Sequence, residues 1–297
     1  MSEYQTILYK SEGPVATITL NRPERLNTIV PPMPSELEAA VHEAVNDESV
    51  KVIVIRGAGR SFCAGYDFSG GFEHWPWMNT DGKWDPGKDF VGASMHDQSP
   101  HRQFMSVWRA PKPVIAQVHG WCVGGGSDFA LCTDIVIASE DARVGTPYSR
   151  MWGAYLSGMW LYRLSLAKAK WHALTGEPFT GKEAAAVELI NESVPFERLE
   201  ARVAEVAMSL ARIPLSQLQA QKLMVNQAYE NMGLASTQTL GGILDGLMRN
   251  TPEALEFIDV AGTEGVRAAV VRRDGPWGDY SQAPPERRPD PSHVIEP

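Results

Sequence analysis

Three consecutive glycines, Gly124, Gly125 and Gly126, stand directly before an apolar run whose first charged residue is Asp128, in the stretch HGWCVGGGSDFALCTDI from His119 to Ile135. A strand that ends in bare backbone and opens a helix leaves unpaired amide N–H groups with no Cβ in the way, an arrangement that binds negative oxygen. The pattern argues against a nucleotide phosphate. A P-loop needs Gly-Lys-Ser/Thr, and the dinucleotide fingerprint needs Gly-x-Gly-x-x-Gly; VGGGSDFA has neither. Two readings remain: close strand–helix packing, or one half of an oxyanion hole for a thioester enolate. The other half has a candidate in GRSFCAGYDF, where Gly65 in a strand-to-loop turn lets the Tyr66 amide point into a cavity, between Ala64 and Asp67.

The elements around these loops are short strands alternating with helices. Val15 to Leu20 alternates as a strand does, and after NRPERLN comes SELEAAVHEAV, where Leu37, Val41 and Val45 share a helical face and Ser35 with Glu38 has capping-box spacing. VKVIVIRG, PVIAQVHG and DIVIAS are continuous β-branched runs of the kind buried on both faces. From Leu161 the pattern turns helical, with a longer helical stretch from Leu199 to Met232 broken near Pro214. The expected class is α/β, with residues 1–198 as core, 199–280 as a helical C-terminal region and the Pro-rich tail 281–297 as an extended arm or a disordered end.

A segment at about 68–108 interrupts the core. It holds four of the nine tryptophans (Trp75, Trp77, Trp84 and Trp108) and three histidines (His74, His96 and His101), with little steady periodicity before Arg102. It is expected to be a long loop whose aromatic surface covers an apolar pocket, or else packs on itself or on a second subunit.

Composition removes several function classes. At 297 residues and 43% hydrophobic the chain can bury a large core, and its net charge of −9 offers no cationic surface to nucleic acid. MSEYQTILYK lacks the regions of a signal peptide, and no run of eighteen apolar residues follows, so a cytoplasmic chain without membrane partners is expected. Cys63, Cys122 and Cys132 have neither disulfide nor metal-ligand spacing, so buried, reduced thiols and no metal are expected.

Taken together, NRPERLN, VIVIRGAGRSFCAGYDF, KPVIAQVHGWCVGGGSDFALCTDIVIAS and TGKEAAAVELINESVP resemble the enoyl-CoA hydratase/isomerase family, the crotonase superfamily, in order and near spacing over residues 4–275. The resemblance implies ββα units wound into a right-handed spiral, with a helical C-terminal region that mediates assembly into a homotrimer or a dimer of trimers. It implies an acyl-CoA thioester as substrate, coenzyme A entering as part of it and no separate cofactor. The thioester carbonyl would be held by the amides of Tyr66 and Gly125, with Ala64, Asp67 and Gly124 around them.

At the two acid/base positions of the family this chain departs from it. Where hydratases carry a Glu two residues after the glycines stands Asp128. Where a second Glu follows a proline stands Tyr148, in VGTPYSRMWGAYLSG. Syn hydration wants two groups around one water, and a tyrosine with an ordinary pKa near 10 is a poor base at neutral pH. Asp128 is then a base, a group that orients water, or a charge that favours the helix dipole. Tyr148 or Tyr155 would line the pocket, bond the acyl group or donate a proton, and a lid histidine would be a possible replacement for the missing glutamate. Hydration or isomerisation is the family's default. Decarboxylation or C–C bond hydrolysis of a CoA thioester, and a catalytically inactive acyl-CoA-binding protein, stand as alternatives. Arg25, Arg272 and Arg273 are candidates for the CoA phosphates, and Trp121, Met151 and Trp152 point to a bulky or cyclic acyl group.

Overall fold

A computed structural model describes residues 4–70, 73–81, 83–97, 99–150 and 153–297. Its strands are β1 (Ile7–Glu12), β2 (Val15–Leu20), β3 (Val52–Gly57), β4 (Asn79–Thr80), β5 (Lys83–Trp84), β6 (Val114–Val118), β7 (Trp121–Val123), β8 (Ile135–Ser139), β9 (Arg143–Gly145), β10 (Phe179–Thr180) and β11 (Glu192–Val194). Its helices are α1 (Met33–Asn46), α2 (Pro86–Met95), α3 (Pro100–Arg109), α4 (Gly125–Ala130), α5 (Met159–Arg163), α6 (Leu166–Thr175), α7 (Gly181–Ala186), α8 (Phe196–Ala211), α9 (Leu215–Asn231), α10 (Leu234–Met248), α11 (Pro252–Thr263) and α12 (Val266–Asp274).

The continuous apolar runs are continuous because both faces of the main sheet are covered. Its strand order is β1-β2-β3-β6-β8-β11, parallel from β2 onward. Alternate residues of the central strands serve different cores. Ile53, Ile55, Ala116 and Val118 face the main core, while Val52, Val54, Ile115 and Ile137 pack against Leu199, Val203 and Ala207 of α8. A buried side chain of this size is worth about 1.5–3 kcal/mol, so the middle of the sheet anchors the loops at its ends. Each pass adds a second short strand: β7 follows β6 and β9 follows β8 into a three-stranded sheet ordered β10-β9-β7. The strand–strand–helix step β6–β7–α4 is the one that delivers the glycines.

Two local expectations change. Ser35 does not cap α1: the helix starts at Met33, which puts Ser35 inside the first turn, and its hydroxyl donates to the Pro32 carbonyl at 2.8 Å. The same Ser/Thr-x-x-Glu spacing does make a capping box at Thr180 and Glu183, where Thr180 is extended and stands outside α7. The Trp-rich segment is not an irregular loop. It contains a β4–β5 hairpin and the helices α2 and α3, with Asp85 accepting from the amides of Gly87 and Lys88 to start α2. Periodicity is weak before Arg102 because that part is a hairpin of two-residue strands and one helix of ten residues, too short for a pattern to repeat, whereas α3 carries Arg102 and Arg109 along one face.

The tail 281–297 runs back across the core. Gly59 and Ile295 exchange backbone hydrogen bonds at 2.8 and 3.0 Å, the Arg287 carbonyl accepts from Arg143 Nε at 2.6 Å, and the His293 ring stacks on Phe196 at 4.2 Å. The three cysteines are free and buried.

Candidate active site

Two loops meet at the end of the sheet, and ordinary hydrogen bonding fixes both. The first runs from Cys63 to Asp67. The Cys63 amide and carbonyl pair with Trp121 and Val123 of β7, the Ala64 amide donates to Leu26, and Ile29 takes the Gly65 carbonyl and the Asp67 amide. Along this run the amides of Gly65 and Tyr66 have no acceptor among the described residues. The second loop is the glycine triplet, where the Gly124 amide donates to Gly145 and those of Ser127 and Asp128 donate back to Gly124. The amides of Gly125 and Gly126, the first two in α4, likewise have no acceptor among the described residues, as a helix start dictates. Orphan amides are costly inside a protein, so loops that bring them together, here with Tyr66 and Gly125 lining one cleft, suit an anionic or carbonyl oxygen.

The glycines serve both packing and approach. Gly65 and Gly124 have φ of +93° and +55°, and a Cβ on Gly124 would stand 3.6 Å from the Gly65 Cα. A Cβ on Gly126 would meet the Cys63 carbonyl at 2.4 Å, and one on Gly125 would meet the Tyr66 ring at 2.5 Å. Gly126 thus lets α4 press against the first loop while Gly65 and Gly124 shape the turns.

An open cleft leads away from these amides. It is lined by Ala64, Gly65, Tyr66, Gly124 and Gly125 at the loops, by Trp75, Met78 and His101 of the inserted segment, and by Pro147, Tyr148 and Leu156. Trp75 meets the Tyr66 ring edge-on at 5.9 Å. The Tyr148 hydroxyl donates to Asp128 Oδ2 at 3.3 Å, and Ser157 donates to Oδ1 at 2.9 Å. Asp128 is only 4% exposed and stands behind Tyr148. Burial pushes its carboxyl up to about 7, with the Asp245 charge adding to the rise and the bonds from Ser157 and Tyr148 holding it back. Burial and the Asp128 charge raise the Tyr148 phenol well above its ordinary value. The pair therefore divides its work: the phenol meets the cleft, and the carboxyl behind it can gain or lose a proton near neutral pH. With Asp128 protonated, a proton can leave the Tyr148 oxygen toward a ligand while Asp128 replaces it, so the negative charge comes to rest on the carboxylate and not on the phenol.

The remaining candidates separate clearly. Tyr155 lies behind the wall, its ring 5.8 Å from both Tyr148 and Trp160. Asp67 faces away from the cleft in an ion pair with Arg22 at 3.0 Å; burial pushes its carboxyl up, but hydrogen bonds from Ser69 and Arg22 outweigh this and hold it at about 2. Trp121 packs within β7 and is not among the cleft residues. Arg25 is exposed, one residue before the Leu26 carbonyl that holds Ala64. Arg273 lines the cleft, paired with Asp274 at 2.8 Å, whereas Arg272 bonds the exposed Glu264 at 2.6 Å. Of the lid histidines only His101 lines the cleft, and burial drops it to about 4, so it is neutral at physiological pH. Met151 and Trp152 lie outside the described residues.

Sequence reasoning missed Ser157 and a buried ion cluster, Asp89, Asp245 and Arg249, which lines the same cleft. Arg249 Nε bonds Asp89 Oδ2 at 2.8 Å, and its guanidinium also pairs with Asp245 one helical turn earlier. The Asp245–Arg249 spacing in GGILDGLMRN was a visible signal of an i,i+4 pair. Nothing in the spacing pointed to Asp89, 160 residues away.

The strand–strand–helix repeat, with its loops meeting over a cleft, is the crotonase fold. The chain belongs to the enoyl-CoA hydratase/isomerase family, whose sequence model matches residues 10–241. A solved enoyl-CoA hydratase from Mycobacterium smegmatis superposes with a TM-score of 0.86 at 38% identity, covering 94% of this chain and 97% of that one. A probable enoyl-CoA hydratase of Rhodobacter capsulatus is 32% identical over 231 residues, 77% of this chain and 84% of its own. The hydroxycinnamoyl-CoA hydratase-lyase of Pseudomonas fluorescens is 28% identical over 213 residues, 70% of this chain and 72% of its own. No helix among the described residues is long and apolar enough to cross a membrane, and no cluster of three His, Cys, Asp or Glu there suits a metal ion.

Proposed function

We propose that the protein acts on an acyl-CoA thioester through its enolate, with enoyl-CoA hydration or isomerisation as the reaction. The observation that carries this reading is the pair of unpartnered amides, Tyr66 and Gly125, opening on the same cleft as the Tyr148–Asp128 pair. The amides stabilise the oxygen on which charge develops, and such donors are worth about 10²–10³ each in rate. Tyr148 and Asp128 form one proton relay in place of two separate glutamates. In hydration the relay takes a proton from the water whose oxygen bonds Cβ and returns a proton to Cα; in isomerisation it moves a proton between carbons of the same acyl chain. Neither step requires a cofactor beyond the CoA of the substrate.

The site loops and the cleft-lining Arg273 support thioester binding, with Arg273 and the exposed Arg25 as the cations for the CoA phosphates. The exposed apolar residues Leu223, Met224 and Val225 of α9 support assembly through the C-terminal helices into a trimer or a dimer of trimers.

The test is to incubate the protein in D2O with saturated and α,β-unsaturated acyl-CoA thioesters and follow mass and chromatographic retention. Deuterium incorporation at Cα, with addition of water or a shifted double bond for unsaturated members, is expected. β-Ketoacyl and malonyl-type thioesters in the same panel separate C–C cleavage and decarboxylation by product mass. Tight binding with no exchange and no product for any member would leave an acyl-CoA-binding protein.

A further inference from the structure

Resting on the thioester reading above, we propose that the acyl end of the cleft is a subsite for an acyl group carrying a neutral hydroxyl, recognised by Asp245 together with Arg249. Asp89 and Asp245 are 0% and 3% exposed, yet both line the cleft with Arg249. Burying three ionisable groups beside a purely apolar acyl chain is expensive, and an ion pair needed only to latch α2 to α10 would cost less at the surface. The geometry leaves bonding capacity on both signs of the cluster. Asp245 Oδ1 accepts from the Ala154 amide at 3.2 Å, while Oδ2 has the Arg249 ion pair and no other hydrogen-bond partner among the described residues. Arg249 uses Nε and one terminal nitrogen, and its other terminal nitrogen has no partner among the described residues. A hydroxyl is the group that donates to a carboxylate and accepts from a guanidinium at once.

Charge narrows the choice. Two carboxylates face one guanidinium, so an acyl carboxylate meets repulsion, while a hydroxyl adds no charge. The walls leading to the cluster, Tyr66, Phe68, Trp75, Met78 and Pro100, are apolar or aromatic and suit a bulky or ring-bearing skeleton between thioester and hydroxyl.

The experiment compares, in one full-length protein, cinnamoyl-CoA with its para-hydroxy and para-carboxy derivatives, and a linear enoyl-CoA with its ω-hydroxy counterpart. The readouts are kcat/KM and equilibrium binding. The hydroxy member of at least one series is expected to be favoured about tenfold or more over its parent, the size of one hydrogen bond to a charged group, and the carboxy member to be the poorest. In Asp245→Leu the hydroxy-to-parent ratio is expected to fall toward one, with Asp245→Asn keeping part of it. Because the ratio is taken within one variant, a loss of folded protein cancels. Equal handling of hydroxy and parent thioesters by the wild type in both series, or an unchanged ratio in Asp245→Leu, would overturn the subsite while leaving the thioester reading intact. Absence of binding, Cα exchange and product for every thioester would sink both.

Discussion

At one end of the cleft, where the proposed account puts the thioester, the groups of interest are main-chain amides, those of Tyr66 and Gly125, set by short loops that backbone hydrogen bonds tie to Leu26, Ile29, β7 and Gly145. At the other end, the proposed acyl end, they are side chains, Asp245 and Arg249 one turn apart on α10 and Asp89 from α2, which joins them only once distant segments have packed. The two ends therefore answer to different physics. A backbone donor cannot be deleted by changing its own side chain, only displaced, and it treats every thioester alike. A side-chain cluster can be rewritten by one substitution, and it discriminates among acyl groups. In the proposed account chemistry belongs to the first end and selectivity to the second.

The comparison is sharpest at Asp128, which the proposed account assigns to the common chemistry. Asp128→Asn is expected to lower Cα exchange and turnover by about 10²–10⁴ for every thioester, the usual worth of a positioned acid/base; a loss confined to one acyl class would erase the distinction. The same variant should be more stable than the wild type at high pH. The Asp128 carboxyl is raised in the fold from 3.8 to about 7, so the cost of burying its charge is absent below about pH 4 and complete above about pH 7. Thermal melts at pH 4.5, 6 and 8 should show the advantage of Asp128→Asn growing with pH; a constant difference would contradict the buried, desolvated carboxylate.

Gly126→Ala tests the backbone end by displacement. Its Cβ would stand 2.4 Å from the Cys63 carbonyl, forcing apart the two loops that carry the amides. Turnover should fall by about 10²–10³ for all substrates, as for loss of an oxyanion donor. The hydroxy-to-parent ratio should not move, and a changed ratio would show that the two ends are not separable. The smallest effect is expected from Tyr148→Phe, which keeps the ring and removes the bridge between Asp128 and the cleft. A drop of about 10–100-fold across the panel fits a relay whose carboxyl can still act through a water. Turnover equal to wild type would leave Asp128 acting alone, with Tyr148 as wall.

The same contrast explains how much could be read beforehand. The runs VIVI, PVIAQV and DIVIAS announced a parallel sheet because burial on both faces leaves no polar positions, and the glycine loops were legible because only glycine tolerates φ of +93° and +55° in such close approach. The role of Ser35 was misread because spacing does not say where a helix begins. Ser157, Asp89 and the function of Arg249 were not legible, since a hydrogen bond to Asp128 and an ion pair spanning 160 residues leave no periodic trace. The β4–β5 hairpin and α2 hid for another reason: strands of two residues and a helix of ten are too short for a pattern to repeat.

The central claim is that the amides of Tyr66 and Gly125 hold the thioester oxygen, and infrared difference spectroscopy of a bound acyl-CoA labelled with ¹³C at the thioester carbonyl tests it most directly. Two amide donors should polarise that carbonyl, so its stretch is expected at a clearly lower frequency in the complex than in solution, with the shift reduced in Gly126→Ala and retained in Asp245→Leu. A bound thioester whose carbonyl stretch stays at its solution frequency would contradict the account.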